Sequence, residues 1–330
     1  MRVKRSAYFL IAFLAFILMA VFSISAGAVD MPLRKILDVF LGKGDEASRT
    51  IILALRLPRV IEAAVVGMGL SVAGAFFQGL LRNPMADPYV LGISSGAALG
   101  ATIAIVLGFG ILGLNAMAFI ASLMTVFFVY AISKVGGRIS MTTMLLAGIA
   151  VSAFMSAVIS LMMLLNHGEL SRIIFWTMGG FNLTSWEDVM FSVPVIAIGS
   201  FALYTFSRDV NAILTGEEVA EHLGVNTELV KKVVLALGSL VTATAVSVGG
   251  VIGFVGLIVP HISRLMVGAD NRVLVPFSAI FGATFLLFAD VVARVILKPV
   301  EVPIGIITAA FGGPFFLYLL IKNRRKGEGM

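Results

Sequence analysis

Long uncharged apolar stretches recur along this chain, and they limit its fold more tightly than any motif does. The first, from Ser6 to Val29, holds no acidic or basic residue and directly follows Arg2, Lys4 and Arg5. Wound as an α-helix, about 20 apolar residues match the hydrocarbon core of a bilayer, whereas a membrane-spanning strand needs about 10 of alternating character. The stretches here are long and do not alternate, so helices are expected. Of 330 residues, 59% are hydrophobic and 13% charged, against about a quarter charged in soluble domains. That excludes a soluble globular fold. Cysteine is absent, which removes disulfides, thiolate metal sites and cysteine nucleophiles. The net charge of +6 does not point to nucleic acid, because basic residues in helical membrane proteins mainly report orientation. The expected fold class is all-α, a polytopic membrane protein of about ten transmembrane helices forming a single transmembrane domain over residues 1–330.

Ala26-Gly27-Ala28 resembles a signal-peptidase site. The apolar core before it exceeds the roughly 7–15 residues of a signal peptide, so a retained first span is expected. A second span, about Val60 to Leu81, carries small residues at every fourth position: Ala63, Gly67, Ser71, Ala75 and Gly79. Such a stripe lets helices approach closely. Asn83-Pro84 and Asp87-Pro88 break the chain, with Asp87 placed to cap a helix that Pro88 begins. A third span bears Gly92, Gly96 and Gly100, a fourth runs from about Asn115 to Ser133, and a fifth from Met141 to about Leu165 bears Gly148, Ser152, Ser156 and Ser160. Between His167 and Trp186 an amphipathic piece is too short and polar to cross, and its tryptophans suit the membrane interface. Further spans are expected at about Val189–Phe206, from Glu228 to the glycines at 249–256, at Phe254–Leu265 (short), at Val273–Arg294 and at Pro303–Ile321. Basic residues at both termini place both in the cytoplasm. Ser71-Val72-Ala73-Gly74 followed by Pro84 matches Ser247-Val248-Gly249-Gly250 followed by Pro260. The copies fall in spans of opposite direction, which suggests an inverted repeat relating spans 2–5 to spans 7–10.

Two polar stretches stand out. Ser207 to Lys232 is the longest polar interruption in the second half, and its centre reads as a two-turn helix. Thr215 and Glu218 have capping-box spacing, and Gly224 can supply the left-handed residue that ends the helix. Val219, Ala220 and Leu223 make an apolar stripe opposite Glu217, Glu218 and Glu221. A helix this short is marginal in water unless that stripe is docked, so the segment, about 208–230, is expected to be held against something. The other stretch, Asp30 to Arg59, carries Arg34, Lys35, Lys43, Arg49, Arg56 and Arg59 on the side where topology disfavours positive charge. Snorkelling is one explanation for these cations and a binding purpose the other. Glu62, one turn from Arg59, is expected to neutralise it in part.

At this point several motifs acquire a common meaning. RLPR at 56–59, GLSVAGAFFQGLLRNPMADPYVLGISSGAALGA at 69–101, GFVGLIVPHISRL at 253–265 and EVPIGIITAAFGGPFFLYLL at 301–320 resemble the permease subunits of type II ATP-binding cassette (ABC) importers, which take up iron-siderophores, haem and cobalamin. The resemblance covers nearly the whole chain in order. It implies a homodimer of ten-helix subunits in the cell membrane, bound to two ATPase subunits inside and to a substrate-binding protein outside. It further implies an ATPase-coupling segment comprising Thr215, Gly216, Glu217, Glu218, Ala220, Leu223 and Gly224. By the same resemblance Arg56, Arg59 and Arg294 receive carboxylates of the binding protein, and Thr142 and Thr143 form a narrow gate in the translocation path. For Arg294 the competing role is an ion pair with Asp290 one turn away, and for the threonines it is helix capping.

No G-x-x-x-x-G-K-[ST] phosphate loop, nucleophile motif or cofactor fingerprint is present, so ATP hydrolysis is expected on a separate subunit and the chain is not expected to be an enzyme. His167, His222 and His261 are scattered without metal-ligand spacing, so no metal site is expected. Protein subunits and membrane lipid are the expected partners, not nucleic acid. The alternative is an ion-coupled secondary transporter, which normally carries ionisable groups near the bilayer midplane. The candidates here, Glu62 and Asp290, sit near span ends. The expected orientation is checked with single cysteines at Val3 and Lys326, both protected from an impermeant thiol reagent in intact cells; labelling at either end refutes it.

Overall fold

The computed structural model describes residues 2–27, 29, 31–135 and 138–327. In chain order its helices are α1 (Arg2–Ser25), α2 (Leu33–Phe40), α3 (Glu46–Arg49), α4 (Leu57–Leu80), α5 (Ile93–Val106), α6 (Ile111–Ile132), α7 (Met141–Leu165), α8 (Leu170–Thr177), α9 (Trp186–Thr205), α10 (Ser207–Thr215), α11 (Glu217–His222), α12 (Thr227–Gly249), α13 (Val255–Val267), α14 (Asn271–Val295) and α15 (Ile304–Gly327). A π-helical stretch, Thr50–Arg56, leads into α4, and a 3-10 turn, Pro88–Leu91, precedes α5. Two strands of two residues each, β1 (Lys134–Val135) and β2 (Arg138–Ile139), pair antiparallel within an otherwise helical fold, in keeping with the all-α expectation.

Among the described residues, seven helices are long and apolar enough to cross a membrane: α1, α4 with the helical residues before it, α6, α7, α9, α12 and α14. The three other expected spans fall on α5, α13 and α15: α5 is shorter than a full span, α13 is short as its sequence predicts, and the apolar stretch of α15 is described over Ile304–Tyr318. The reason is local. The chain between α4 and α5 spends residues on the turn at 81–87 and the 3-10 turn, and α13 starts only after the non-helical residues 250–254. At 1.5 Å per residue, the 13 residues of α13 reach about 20 Å, short of a core of about 30 Å.

Helix α4 is the axis of the bundle. Its side chains from Gly69 to Leu80 are all buried, because α14, α12, α9 and α13 surround it. The small-residue stripe does what its spacing predicts. A Cβ on Gly67 would strike the Gly282 carbonyl of α14, and one on Gly74 would strike the backbone of Gly256 in α13. The stripe on α5 is used likewise, with Gly96 facing Thr125 and Gly100 facing Met117 of α6. Asp87 caps the turn at Pro88 as expected, accepting from the Tyr89 N–H at 2.9 Å. Helix α8 lies between α7 and α9, where the amphipathic piece was expected. The proposed repeat does not find matching places. Ser71 is mid-helix in α4 and Pro84 lies in a turn, whereas Ser247 is near the end of α12 and Pro260 is inside α13.

Helix α1 is built into the bundle, packing along α14 through Ala12 and Phe9 against Phe277. Ala28 of the cleavage-like sequence, and Asp30 beyond it, lie outside the described residues. Replacing Gly74 by Val forces α4 away from α13 and is expected to destabilise the detergent-solubilised protein by about 1–3 kcal/mol or more. Gly253, around whose added Cβ there is open space, tolerates Ala within about 0.5 kcal/mol. Equal thermal midpoints for the two variants would refute the close backbone contact.

Candidate functional site at two polar ends of the bundle

The winding of the helices brings the C-terminal ends of α1 and α14 to the N-terminal ends of α4, α9 and α15. This is the Arg59 end. The N-terminal ends of α7, α12 and α14 gather at the opposite end with α10 and α11, the Glu217 end.

At the Arg59 end, buried cations are shared among several elements. Arg59 presents its Nε to Asp290 Oδ1 at 2.9 Å and its Nη1 to Glu301 Oε2 at 2.9 Å. Asp290, fully buried in α14, also faces Arg294, whose Nη2 lies 2.9 Å from Oδ2. That second contact is an ion pair by distance, off the hydrogen-bonding line. Arg294 Nη1 donates to the carbonyls of Ser23 at 3.0 Å and Ala26 at 2.7 Å. Arg56 donates to the carbonyls of Ile24 at 2.6 Å, Ser25 at 2.8 Å and also Val29. The last carbonyls of a helix lack intrahelical donors, and here two guanidinium groups satisfy those of α1 while answering the negative end of its dipole.

The three arginines expected to receive carboxylates of a binding protein differ in this chain. Arg56 and Arg294 are buried and engaged by the end of α1, and Arg59 is nearly so. The competing role named for Arg294, a pair with Asp290, is present. Glu62 does not neutralise Arg59: it accepts from Ser192 of α9 at 2.8 Å, and its other oxygen has no hydrogen bond among the described residues. Arg59 does keep one accessible flank, since it and the half-exposed Glu301 line a cavity of about 310 Å³ together with Asn115, Trp176, Phe181 and Asp188.

At the Glu217 end, Lys231 is the organising group. Its side chain is only 4% exposed, and its Nζ donates to Glu217 Oε2 of α11 at 2.6 Å and to Glu228 Oε1 at 3.1 Å. Glu217 reaches Arg82 after α4 at 3.9 Å, and Glu228 accepts from the Ile139 N–H of β2 at 3.3 Å. The end of α4 and helix α12 thus meet on Glu217 of α11, and β2 joins through Glu228 of α12. Nearby, Asp270 is held down to about 2 by hydrogen bonds from the Arg272 guanidinium.

The predicted capping box at α11 is absent. The Thr215 hydroxyl turns back to the Ala212 carbonyl at 2.7 Å and Gly216 stands at the cap position without a side-chain bond, so Glu218 has no capping partner. Gly224 has φ +84°, the left-handed value expected of it. Of the apolar stripe, only Ala220 is buried in this chain; Val219 is 49% and Leu223 70% exposed. At the start of α7 the cap is Ser140, which accepts from the Thr143 N–H at 3.3 Å and the Thr143 hydroxyl at 2.8 Å, whereas Thr142 is exposed.

Comparison with known proteins gives this geometry a context. Residues 14–322 match the FecCD transport family. The chain belongs to that family. It is 39% identical, over 100% of its length and 98% of the relative's, to an uncharacterized ABC transporter permease protein of Bacillus subtilis (strain 168). It is 46% identical to the cobalamin import system permease of Halobacterium salinarum, over 83% of this chain and 74% of that one. With the hemin transport system permease of Yersinia pestis it shares 37% identity over 95% of both chains. Among solved structures it resembles one described as an inward-facing metal-chelate type ABC transporter, with TM-score 0.85 and 34% identity over 94% of this chain and 97% of that one.

Sequence reasoning missed Lys231 and Glu301. Lys231 had a signal: a lysine in the opening turns of a helix opposes the dipole unless carboxylates compensate it. Glu301 had none, since its partner is 242 residues distant. Asp290→Asn leaves Arg59 and Arg294 buried without their shared carboxylate, and breaking such a pair costs about 3–5 kcal/mol. Glu301→Gln, at a half-exposed pair, costs about 0–1 kcal/mol. Thermal unfolding in detergent separates the two, and equal losses refute the central place of Asp290.

Proposed function

We propose that this chain is the transmembrane permease subunit of an ABC importer that brings an iron-siderophore or related chelate, such as haem or cobalamin, into the cell. Two copies form the path, two separate ATPase subunits bind the Glu217 end in the cytoplasm, and a substrate-binding protein delivers cargo at the outer Arg59 end. On this reading the three shorter apolar helices complete ten crossings and both termini are cytoplasmic. Relatives named as permeases for cobalamin and hemin support the substrate class.

The observation that carries the proposal is the surface around α11. Val219 and Leu223 stand exposed beside a helix that Lys231 fixes from behind. Exposed apolar residues on a rigid support are what a docking helix presents to a groove. The chain has no phosphate loop of its own, so ATP hydrolysis belongs to the partner that fills that role. Thr142, at the start of α7, is the gate candidate that stays accessible, with Thr143 engaged by the cap. Of the outer arginines, Arg59 is proposed to meet the binding protein, while Arg56 and Arg294 hold α1 behind it.

Leu223→Asp replaces an exposed side chain, so stability should change by less than about 0.5 kcal/mol. Association with the co-expressed ATPase and substrate uptake are expected to fall at least tenfold, close to 1.4 kcal/mol. Gly224→Val, which forces a β-branched residue into positive φ, is expected to uncouple ATP hydrolysis from uptake with membrane insertion intact. Normal ATPase association and uptake in the Leu223 variant would refute α11 as the coupling element.

A further inference from the structure

Four basic residues of the first polar stretch, Arg34, Lys35, Lys43 and Arg49, play no part in the arginine cluster. Among the described residues they form no salt bridge. Their segment also contains α2, whose sequence LRKILDVF has three distinct arcs. Ile36 and Val39 are buried against Ile52 and Met31. Arg34, Lys35 and Asp38 form a polar arc. Between the two lies a third arc, Leu33, Leu37, Phe40 and the following Leu41, whose residues are 55–68% exposed. At 100° per residue this exposed apolar arc is turned away from both the packed arc and the polar one. A helix in contact with protein and water alone needs two arcs; a third, apolar and uncovered, calls for a third medium.

The surroundings say which medium. α2 follows the end of α1, a candidate span whose exposed Leu18 and Phe22 continue to within a turn of that end. It packs on the stretch before α4, where Leu55 is again exposed and the Trp186 indole donates to the Leu53 carbonyl at 2.9 Å. Tryptophan marks the level of the headgroups in membrane proteins. An amphipathic helix there buries its apolar face at the boundary between headgroups and acyl chains, with basic side chains directed to lipid phosphates.

We propose that α2 is an interfacial anchor, seated in a phospholipid leaflet through Leu33, Leu37, Phe40 and Leu41, with Arg34 and Lys35 meeting lipid phosphate groups. The partner is the lipid surface itself, and the segment's cations find their counter-charge there despite Asp38, Asp45 and Glu46 nearby. The anchor holds residues 31–56 at a fixed depth, and with them the backbone beside Arg56. The proposal needs only that this end of the bundle meets a leaflet, and so stands or falls apart from the transport reading.

The chain lacks cysteine, so Leu33→Cys, Leu37→Cys, Phe40→Cys and, on the polar arc, Asp38→Cys each give one labelling site. Each full-length variant carries an environment-sensitive fluorophore in phosphatidylcholine vesicles containing phosphatidylcholine spin-labelled near the headgroup. Labels at 33, 37 and 40 should be quenched by the spin-labelled lipid severalfold more than the label at 38, with the reverse order for aqueous iodide. Adding Arg34→Glu and Lys35→Glu should weaken lipid quenching at 37. Iodide quenching at 33, 37 and 40 equal to that at 38 would put the arc in water and overturn the proposal. Protection from both quenchers would mean that protein covers it, a second copy of the chain or a docked partner, and would overturn it equally.

Discussion

Backbone meets backbone where α4 crosses α14 and α13, and the remainder of the bundle is arranged around those contacts. In lipid, apolar side chains gain little by exchanging acyl chains for one another, so helices associate through close packing and polar contacts. Glycines 67, 74, 256 and 282 remove the side chains that would hold the axes apart. Gln78 adds a polar tie on the same face, donating to the Gly256 and Leu257 carbonyls at 3.3 and 3.1 Å and receiving Arg264 at 3.0 Å. One of the carbonyls it satisfies, that of Gly256, has no intrahelical donor because Pro260 four residues on lacks an N–H, and such a group would be costly if left unpaired away from water.

This packing makes α4 a stiff rod between two charged ends. Its first turn holds Arg59, inside the cluster with Asp290 and Glu301, and it ends just before Arg82, which faces Glu217. Helix α12 runs beside it, with Lys231 at one end and the glycine-rich break near Gly180 at the other, where Gly180 donates to the Gly249 carbonyl at 2.8 Å. A displacement imposed on α11 therefore reaches α4 through Glu217 and Arg82, α12 through Lys231, and the start of α7 through Glu228 and Ile139. These are contiguous contacts between packed elements, a physical route by which the proposed coupling would travel.

Much of this was legible in the sequence, because length and spacing of apolar and small residues fix which helices form and where they can touch. The stripe on α4, the turn at Asp87-Pro88 and the left-handed Gly224 follow from local chemistry. What escaped was decided by partners far along the chain. Thr215 and Glu218 have the spacing of a capping box, but the hydroxyl found a carbonyl one turn back and Gly216 took the cap position. Arg56 and Arg294 look like surface cations on a disfavoured side, yet their acceptors are the last carbonyls of α1. α5 came out shorter than a full span because residues were spent on the break before it, which apolar composition does not register.

If a binding protein docks at this end, as proposed, the buried arginine cluster limits how it can do so. Arg56 and Arg294 are held by carbonyls of α1 and by Asp290, and drawing either outward would leave those acceptors buried without donors, at about 1–3 kcal/mol for each group. Arg59 differs because its guanidinium has two flanks. The Nε flank is fixed on the fully buried Asp290, while Nη1 faces Glu301, which is half-exposed at the cavity wall. On the proposed reading, an incoming carboxylate would replace Glu301 there without disturbing Asp290, exchanging one partly exposed pair for another. Affinity at such a contact is modest, but its direction is fixed, because Asp290 holds the guanidinium plane before the partner arrives. The burial that removes two arginines from the surface is what orients the third.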